Sequence, residues 1–494
     1  MKEVEDFWND YLTVIIGSVG MAIFNIITFT IIIRMFSPGQ FGSYNLFMSI
    51  AQVGLFLGAN WTVSAMIRFG KEEAITQGTI RKAFWSRTLM FGITLPIFLI
   101  FFYIFRYRIS TYIGFSLSES ISLPFYFIVL SVSSLLLYPY QAMGKMKTFS
   151  FMPVVEKMLF CALLLLATKI VSRNISSLIW ALVLSGALSN LFLFLLLKKE
   201  WVLPVGTSKE MIKKVFNFSW PALPGGMAGY IVNWVDVIVI KIYLDITLVG
   251  LYSVSYSIYN YLMALPLMGI NLISLMLTAF LVRKREDLVL LYVKRFIPQA
   301  VFLWSFFVSF IMIMSGFLLE LWAGQQYRAA VPSFILLAIG LVFRGITCAY
   351  TPIYTAYIMP KRYHMVNIFI AFFNLAGDFI FIPRYGIIGA AISTTLAFFI
   401  SSIFLLVMAN RRLKITLISP LLYTIPAVIC GLISLSINNF SIKLLFFILT
   451  FSITILIARK NKLFKKEDTM MLEPVKMPAG FKKIITRIIY GLTF

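Results

Sequence analysis

The stretch Phe216–Ile258 decides how the rest of the chain is read. It opens on Trp220-Pro221-Ala222-Leu223-Pro224-Gly225-Gly226 and carries Asp236 deep inside an apolar run, with Lys241 further on. It closes on Val249-Gly250-Leu251-Tyr252-Ser253-Val254-Ser255-Tyr256-Ser257-Ile258. That segment echoes Phe41-Gly42-Ser43-Tyr44-Asn45-Leu46-Phe47-Met48-Ser49-Ile50, with Gly, Tyr, Ser and Ile recurring at matching places. Each copy follows a long apolar run, so Phe216 is expected to open a second half of the molecule.

Working outward, composition bounds the class. The chain has 494 residues, 60% of them hydrophobic and 13% charged, and its mean hydropathy is +0.92. A water-soluble fold cannot hide that much apolar surface, so a polytopic membrane protein is expected. Backbone groups in lipid must be satisfied within their own segment, which makes the long apolar runs helices. At roughly 20 residues per crossing, they divide into about 14 transmembrane helices. The first ten residues hold one Lys against Glu3, Glu5, Asp6 and Asp10, so the run from Tyr11 to Ile33 reads as the first span and not as a removable signal. Cys161, Cys348 and Cys430 lie singly in apolar runs and imply neither a disulfide framework nor a metal site.

Lys and Arg crowd the even-numbered loops, for example Arg81-Lys82, Lys198-Lys199 with Lys213-Lys214, Arg283-Lys284-Arg285 and Arg411-Arg412, and thin out in the odd ones. Both termini and the even loops are therefore expected on the cytoplasmic side. Six spans separate Tyr11 from Phe216, an even number, so the halves insert the same way round as parallel repeats. The expected domains are a six-helix lobe over 1–197, a cytoplasmic linker over 198–215 and a second six-helix lobe over 216–409. Two additional helices over 410–458 and a basic cytoplasmic tail over 459–494 follow. In that tail Ile484, Ile485, Ile488, Ile489 and Leu492 share a face beside Lys482, Lys483 and Arg487, which suits a helix lying on the membrane surface. The net charge of +24 reads as topology signal and attraction to anionic lipids, with no domain to bind nucleic acid.

Ionisable residues at membrane depth are costly and usually face a cavity or a partner. Here they are Glu156, Lys157, Asp236, Arg344 and Asp378, with Arg34, Arg68 and Lys241 near span ends. Glu156 and Lys157 either snorkel to the cytoplasmic edge or line a cavity. Asp236 is read as a structural ion pair with Lys241 or Arg344, or as a cavity-lining, cation-coupling carboxylate. Arg344 near mid-span is the leading candidate for an anion-binding cation. Asp378, just before Phe379-Ile380-Phe381-Ile382-Pro383, is expected near the outer surface and facing water. Tyr252, Tyr256 and Tyr259 share one helical face, either as a packing stripe or as a platform for sugar rings. His364, the lone histidine, is expected at the interface beside Lys361-Arg362.

Phe36-Ser37-Pro38-Gly39-Gln40-Phe41-Gly42-Ser43-Tyr44 resembles the short Pro-to-Gly-x-Tyr signature of polysaccharide-biosynthesis flippases, members of the multidrug/oligosaccharidyl-lipid/polysaccharide exporter superfamily. The second copy at Val249–Ser253, the mid-helix Asp236, and Ile382-Pro383-Arg384-Tyr385-Gly386-Ile387-Ile388-Gly389-Ala390-Ala391-Ile392 fit the same pattern. The resemblance implies a multi-pass protein of the bacterial cytoplasmic membrane, not an enzyme, that moves undecaprenyl-diphosphate-linked oligosaccharide between leaflets by alternating access. It implies no cofactor beyond coupling to an H⁺ or Na⁺ gradient. Its expected partners are the lipid-linked glycan, anionic membrane lipids and other polysaccharide assembly proteins. Arg344, Lys241, Arg34, Lys157, Tyr252, Tyr256 and Tyr259 would line the cavity, and Asp236 and Asp378 would take the coupling ion. Where the lipid II branch places arginines in the first two helices, this chain has Asn25 and Asn60, which argues against a peptidoglycan precursor. The rival reading is a cation-coupled multidrug exporter of the same superfamily. A membrane enzyme of glycan assembly is further off, since the short loops offer no nucleophile and base.

Overall fold

The computed structural model describes residues 2–58, 60–170, 172–357, 360–414 and 418–465. The tail helix expected over 480–494 and the side chains of Lys361, Arg362 and His364 lie outside them. Among the described residues every element is helical. In chain order these are α1 (Lys2–Met35), α2 (Pro38–Gly58), α3 (Val63–Gln77), α4 (Arg81–Ile113) and α5 (Leu117–Ala142). There follow α6 (Met146–Ile170), α7 (Ile175–Leu196), α8 (Lys209–Tyr243), α9 (Ile246–Val282) and α10 (Glu286–Ala323). The last five are α11 (Val331–Ala356), α12 (Pro360–Tyr385), α13 (Ile387–Leu413), α14 (Ser419–Ser436) and α15 (Phe440–Lys460). Twelve helices are long and apolar enough to cross a membrane, and α2 with α3, taken as one broken span, makes thirteen. The 37-residue α9, about 55 Å long at 1.5 Å per residue, completes the set expected from the sequence. The protein is an all-α, multi-pass membrane protein.

The described chain divides into two compact units. One comprises residues 1–254 with 322–327, the other 255–321 with 328–494.

In the first unit the two echoed segments meet. Each begins with a side-chain cap: the Ser37 hydroxyl accepts from the Gln40 amide at 3.3 Å, and the Asp245 carboxylate accepts from the Thr247 amide at 2.7 Å. These oxygens satisfy amides that a helix start leaves open. α2 and α9 then cross at Gly42 and Gly250. A Cβ at Gly42 would strike the Ile246 carbonyl, and one at Gly250 would strike the Pro38 carbonyl. Only hydrogen fits in that crossing, which is why glycine recurs in both copies.

The expected second span is interrupted. α2 ends at Gly58, Asn60–Thr62 forms a tight turn, and α3 resumes at Val63. Arg87 of α4 is fully buried at 1% exposure and braces this break. Its Nε donates to Thr62 Oγ1 at 3.1 Å, its Nη1 to the Ser134 carbonyl at 2.7 Å and its Nη2 to Ser134 Oγ at 2.7 Å. Ser134 Oγ in turn donates to Asn60 Oδ1 at 3.0 Å. A buried guanidinium is tolerated because its donors are met by fixed acceptors. Nearby, buried Glu73 accepts from the Lys82 and Ala83 amides at 3.0 and 3.1 Å, capping α4.

In the second unit hydroxyls stitch α11 to α13. Thr395 Oγ1 donates to the Leu336 carbonyl at 2.7 Å, and Tyr354 Oη donates to the Leu405 carbonyl at 2.6 Å.

Gly250→Ala is expected to destabilise the protein by roughly 1–3 kcal/mol through overpacking at the crossing. A lower thermal unfolding midpoint in detergent is the readout. Gly92→Ala, where a Cβ would meet nothing within 4 Å, should leave that midpoint unchanged or slightly raised.

Candidate functional site

The sequence-derived candidates fall into separate groups. In the first unit Asp236 is 2% exposed and stands at the end of a wide turn, Ile231–Val235, that interrupts α8 with π-helical geometry. Such turns leave backbone groups seeking outside partners. Ser49 Oγ of α2 lies 3.2 Å from the Trp234 carbonyl, and it pairs with Tyr230 Oη at 3.2 Å. Tyr112 Oη donates to the Ile238 carbonyl at 2.5 Å. The Asp236 carboxylate accepts a short hydrogen bond from Tyr252 Oη on α9. A buried phenol is thus a partner of Asp236 that the sequence reading, with an ion pair to Lys241 or Arg344 as one alternative and cation coupling as the other, did not include. A hydrogen bond to an ionised carboxylate is shorter and stronger than one between neutral groups.

In the second unit Tyr256 and Tyr259 turn to a different task. Tyr256 stacks on Tyr259 with ring centroids 5.4 Å apart. Tyr259 stacks on Phe398 of α13 at 5.8 Å and nearly parallel, 6° between planes. The Arg344 guanidinium of α11 sits over the other end of this column, 5.2 Å from the Phe398 centroid. A cation over an aromatic face is held there electrostatically. Arg344 is half-buried, so the expected deep burial is only partly met.

Asp378 corrects the sequence reading more sharply. Expected at the outer surface and facing water, it is 0% exposed in α12. One turn earlier on the same face, Asn374 donates from Nδ2 to Thr394 Oγ1 at 3.1 Å, and its carbonyl accepts from Ser393 Oγ at 2.6 Å. All three are buried. Helix α13 reaches α12 closely because Gly377 and Gly389 leave room: a Cβ on Gly389 would strike the Phe381 carbonyl.

The remaining candidates stand apart. Arg34 occupies the last turn of α1 and is exposed. Lys157 is half-buried, its Nζ 5.8 Å from the Phe160 centroid. Lys241 is half-buried near the end of α8. Among the described residues no group of three or more His, Cys, Asp or Glu could hold a metal ion. Sequence reasoning missed Phe398, Asn374, Ser393 and Thr394. Only the polar three carried a signal, as amide and hydroxyl side chains in apolar runs; a phenylalanine in a chain with 48 of them carries none.

This all-helical fold, with carboxylates and a guanidinium in its spans, is that of a multi-pass membrane protein. It is similar to the lipid II flippase MurJ in an inward closed conformation, with a TM-score of 0.71 at 14% identity over 90% of this chain and 99% of that one. It is similar too to an inward-facing multidrug resistance MATE family transporter of the MOP superfamily, at 0.65 and 16% over 80% of this chain and 94% of that one. A MOP superfamily transporter from Pyrococcus furiosus, described by the reverse polarity of its binding pocket, aligns at 0.52 and 13% over 81% and 95%. At these identities the likeness is one of fold. No curated protein matches the chain in sequence. Residues 7–274 match the family described as polysaccharide biosynthesis protein, and the chain belongs to that family.

Tyr252→Phe should remove a hydrogen bond to a charged group, worth roughly 1.5–3 kcal/mol. A correspondingly lower unfolding midpoint in detergent is expected, and an unchanged midpoint would show that the bond contributes nothing net.

Proposed function

We propose that this protein is a flippase that carries undecaprenyl-diphosphate-linked oligosaccharide across the bacterial cytoplasmic membrane by alternating access, supplying O-antigen, capsule or a related surface polysaccharide. The observation that carries this reading is the column Arg344–Phe398–Tyr259–Tyr256 in a member of the polysaccharide biosynthesis family. An unpaired polar group in hydrocarbon costs roughly 2–7 kcal/mol and an ionised one far more. A diphosphate therefore needs a fixed cation at membrane depth, which Arg344 supplies. Sugar rings present C–H faces that pack on aromatics, with hydroxyls that a phenol can meet.

Lys157, Lys241 and Arg34 are proposed as further cations along the path. Asp236 and Asp378 are proposed to take a coupling cation, H⁺ or Na⁺, because each is a carboxylate buried at membrane depth. The lobes proposed to rock against each other are 1–197 and 216–409, with 198–215 as a cytoplasmic linker and both termini in the cytoplasm. The likeness to the lipid II flippase raises that substrate as a variant of the same reading. Against it, Asn60 is engaged with Ser134 in the Arg87 brace and offers no cation. A second reading, a cation-coupled drug exporter, is favoured by the buried Asp236 and by the likeness to MATE family transporters.

The test is translocation of a fluorescent undecaprenyl-diphosphate oligosaccharide in proteoliposomes. Protein-dependent arrival in the opposite leaflet is expected, whereas efflux of a cationic dye with no lipid movement would shift the assignment to drug export. Arg344→Ala is expected to lower the flipping rate by at least about tenfold, since a lost charged contact at a site is worth 2–5 kcal/mol, while the variant still inserts. Asp236→Asn should leave a slower rate that no longer responds to imposed pH or sodium gradients; a gradient response equal to wild type would leave Asp236 a structural role.

A further inference from the structure

The second unit carries a feature that the transport reading does not use. Between α12 and α13 runs an apolar slot of about 170 Å³. Its floor is Val366, Ile370, Ala397 and Ser401, all buried, and its rims are Phe369, Phe373, Ile400 and Phe404, all exposed. Ile400 and Phe404 also line a larger groove of about 860 Å³ that continues along α13 past Val407 and Met408 to Arg411, Arg412 and Lys414. The two cavities thus adjoin at Ile400 and Phe404, the first apolar and the second reaching the bases. Arg412 is held over the Tyr357 ring, 5.1 Å from its centroid, and all three cations are exposed.

The dimensions select the occupant. From Ala397 to Val407 α13 rises about 15 Å, half of a hydrocarbon core about 30 Å thick. The cations begin one turn beyond, where a headgroup phosphate would lie. Among the described residues the lining of the groove contains three bases and no acid, so their charge complements a phosphate bearing net negative charge. Arg presents paired donors to such an oxyanion and Lys adds a point charge. We propose that this groove is a binding site for one anionic phospholipid of a single leaflet, with its phosphate on Arg411, Arg412 and Lys414 and an acyl chain in the slot between α12 and α13. A zwitterionic phospholipid carries the same chain but a cancelling ammonium, and loses most of the electrostatic gain. A polyprenyl substrate is far longer than the slot. This site is independent of the cavity proposed for transport.

The test is native mass spectrometry of the full-length protein in detergent, titrated with phosphatidylglycerol or with phosphatidylcholine of the same acyl chains. A saturable 1:1 adduct is expected, with phosphatidylglycerol favoured by about a hundredfold given the contribution of each surface cation. Replacing Arg411, Arg412 and Lys414 together by Gln should abolish that preference. Phe404→Trp, which fills the slot and keeps every charge, should weaken phosphatidylglycerol at least about threefold; it decides the matter if the triple variant does not accumulate. Equal retention of the two lipids, a preference that survives in the triple variant, or an unchanged phosphatidylglycerol affinity in Phe404→Trp overturns the proposal. Displacement of phosphatidylglycerol by equimolar undecaprenyl phosphate would overturn it as well, by assigning the groove to the substrate's own tail.

Discussion

The contact on which much of the first unit depends is the crossing of two helix backbones at Gly42 and Gly250. Helices in lipid gain little from hydrophobic association, because the surrounding chains are equally apolar, so close packing of small residues has to supply the attraction. Here each glycine sits where a methyl group would meet the other helix's carbonyl. That approach fixes α9 against α2, and the neighbouring groups follow from it. Tyr252, half a turn past Gly250, is carried to Asp236, and Ser49, two turns past Gly42, reaches Tyr230 and the open backbone at Trp234.

Charged groups in the spans of this molecule meet neutral partners. Arg87 is held by a carbonyl and two hydroxyls, Asp236 by a phenol, and Arg344 by an aromatic face. The ion pairs Lys198–Glu200 and Arg285–Asp287 lie instead on exposed ground. The physical reason is the cost of stripping water from two charges, which their mutual attraction only partly returns.

The two echoed segments share geometry and differ in chemistry. Their caps, glycines and tyrosines correspond, Ser37 with Asp245, Gly42 with Gly250 and Tyr44 with Tyr252. Yet the residue that stands as far before Gly42 as Asp236 stands before Gly250 is Thr28. Thr28 is buried and returns its hydroxyl to the Phe24 carbonyl of its own helix. Only the second copy brings a carboxylate to this place.

The sequence by itself determined the class: composition and run length require membrane helices, and the recurrence of Phe41–Ile50 in Val249–Ile258 marks the repeat. It also singled out Asp236, Arg344 and the tyrosines, because charge and phenols in apolar runs stand out without any coordinates. Tertiary structure decided which of them meet. Spacing on one helix face cannot tell that Tyr252 serves Asp236 while Tyr256 and Tyr259 continue a stack through Phe398, since those partners come from other helices. Nor can it tell that Arg87 and Asp378 are buried, because hydropathy reads a residue's own cost and not the acceptors that neighbouring helices bring to offset it. Periodicity and composition are local properties of the chain; satisfaction of a buried charge is a property of packing.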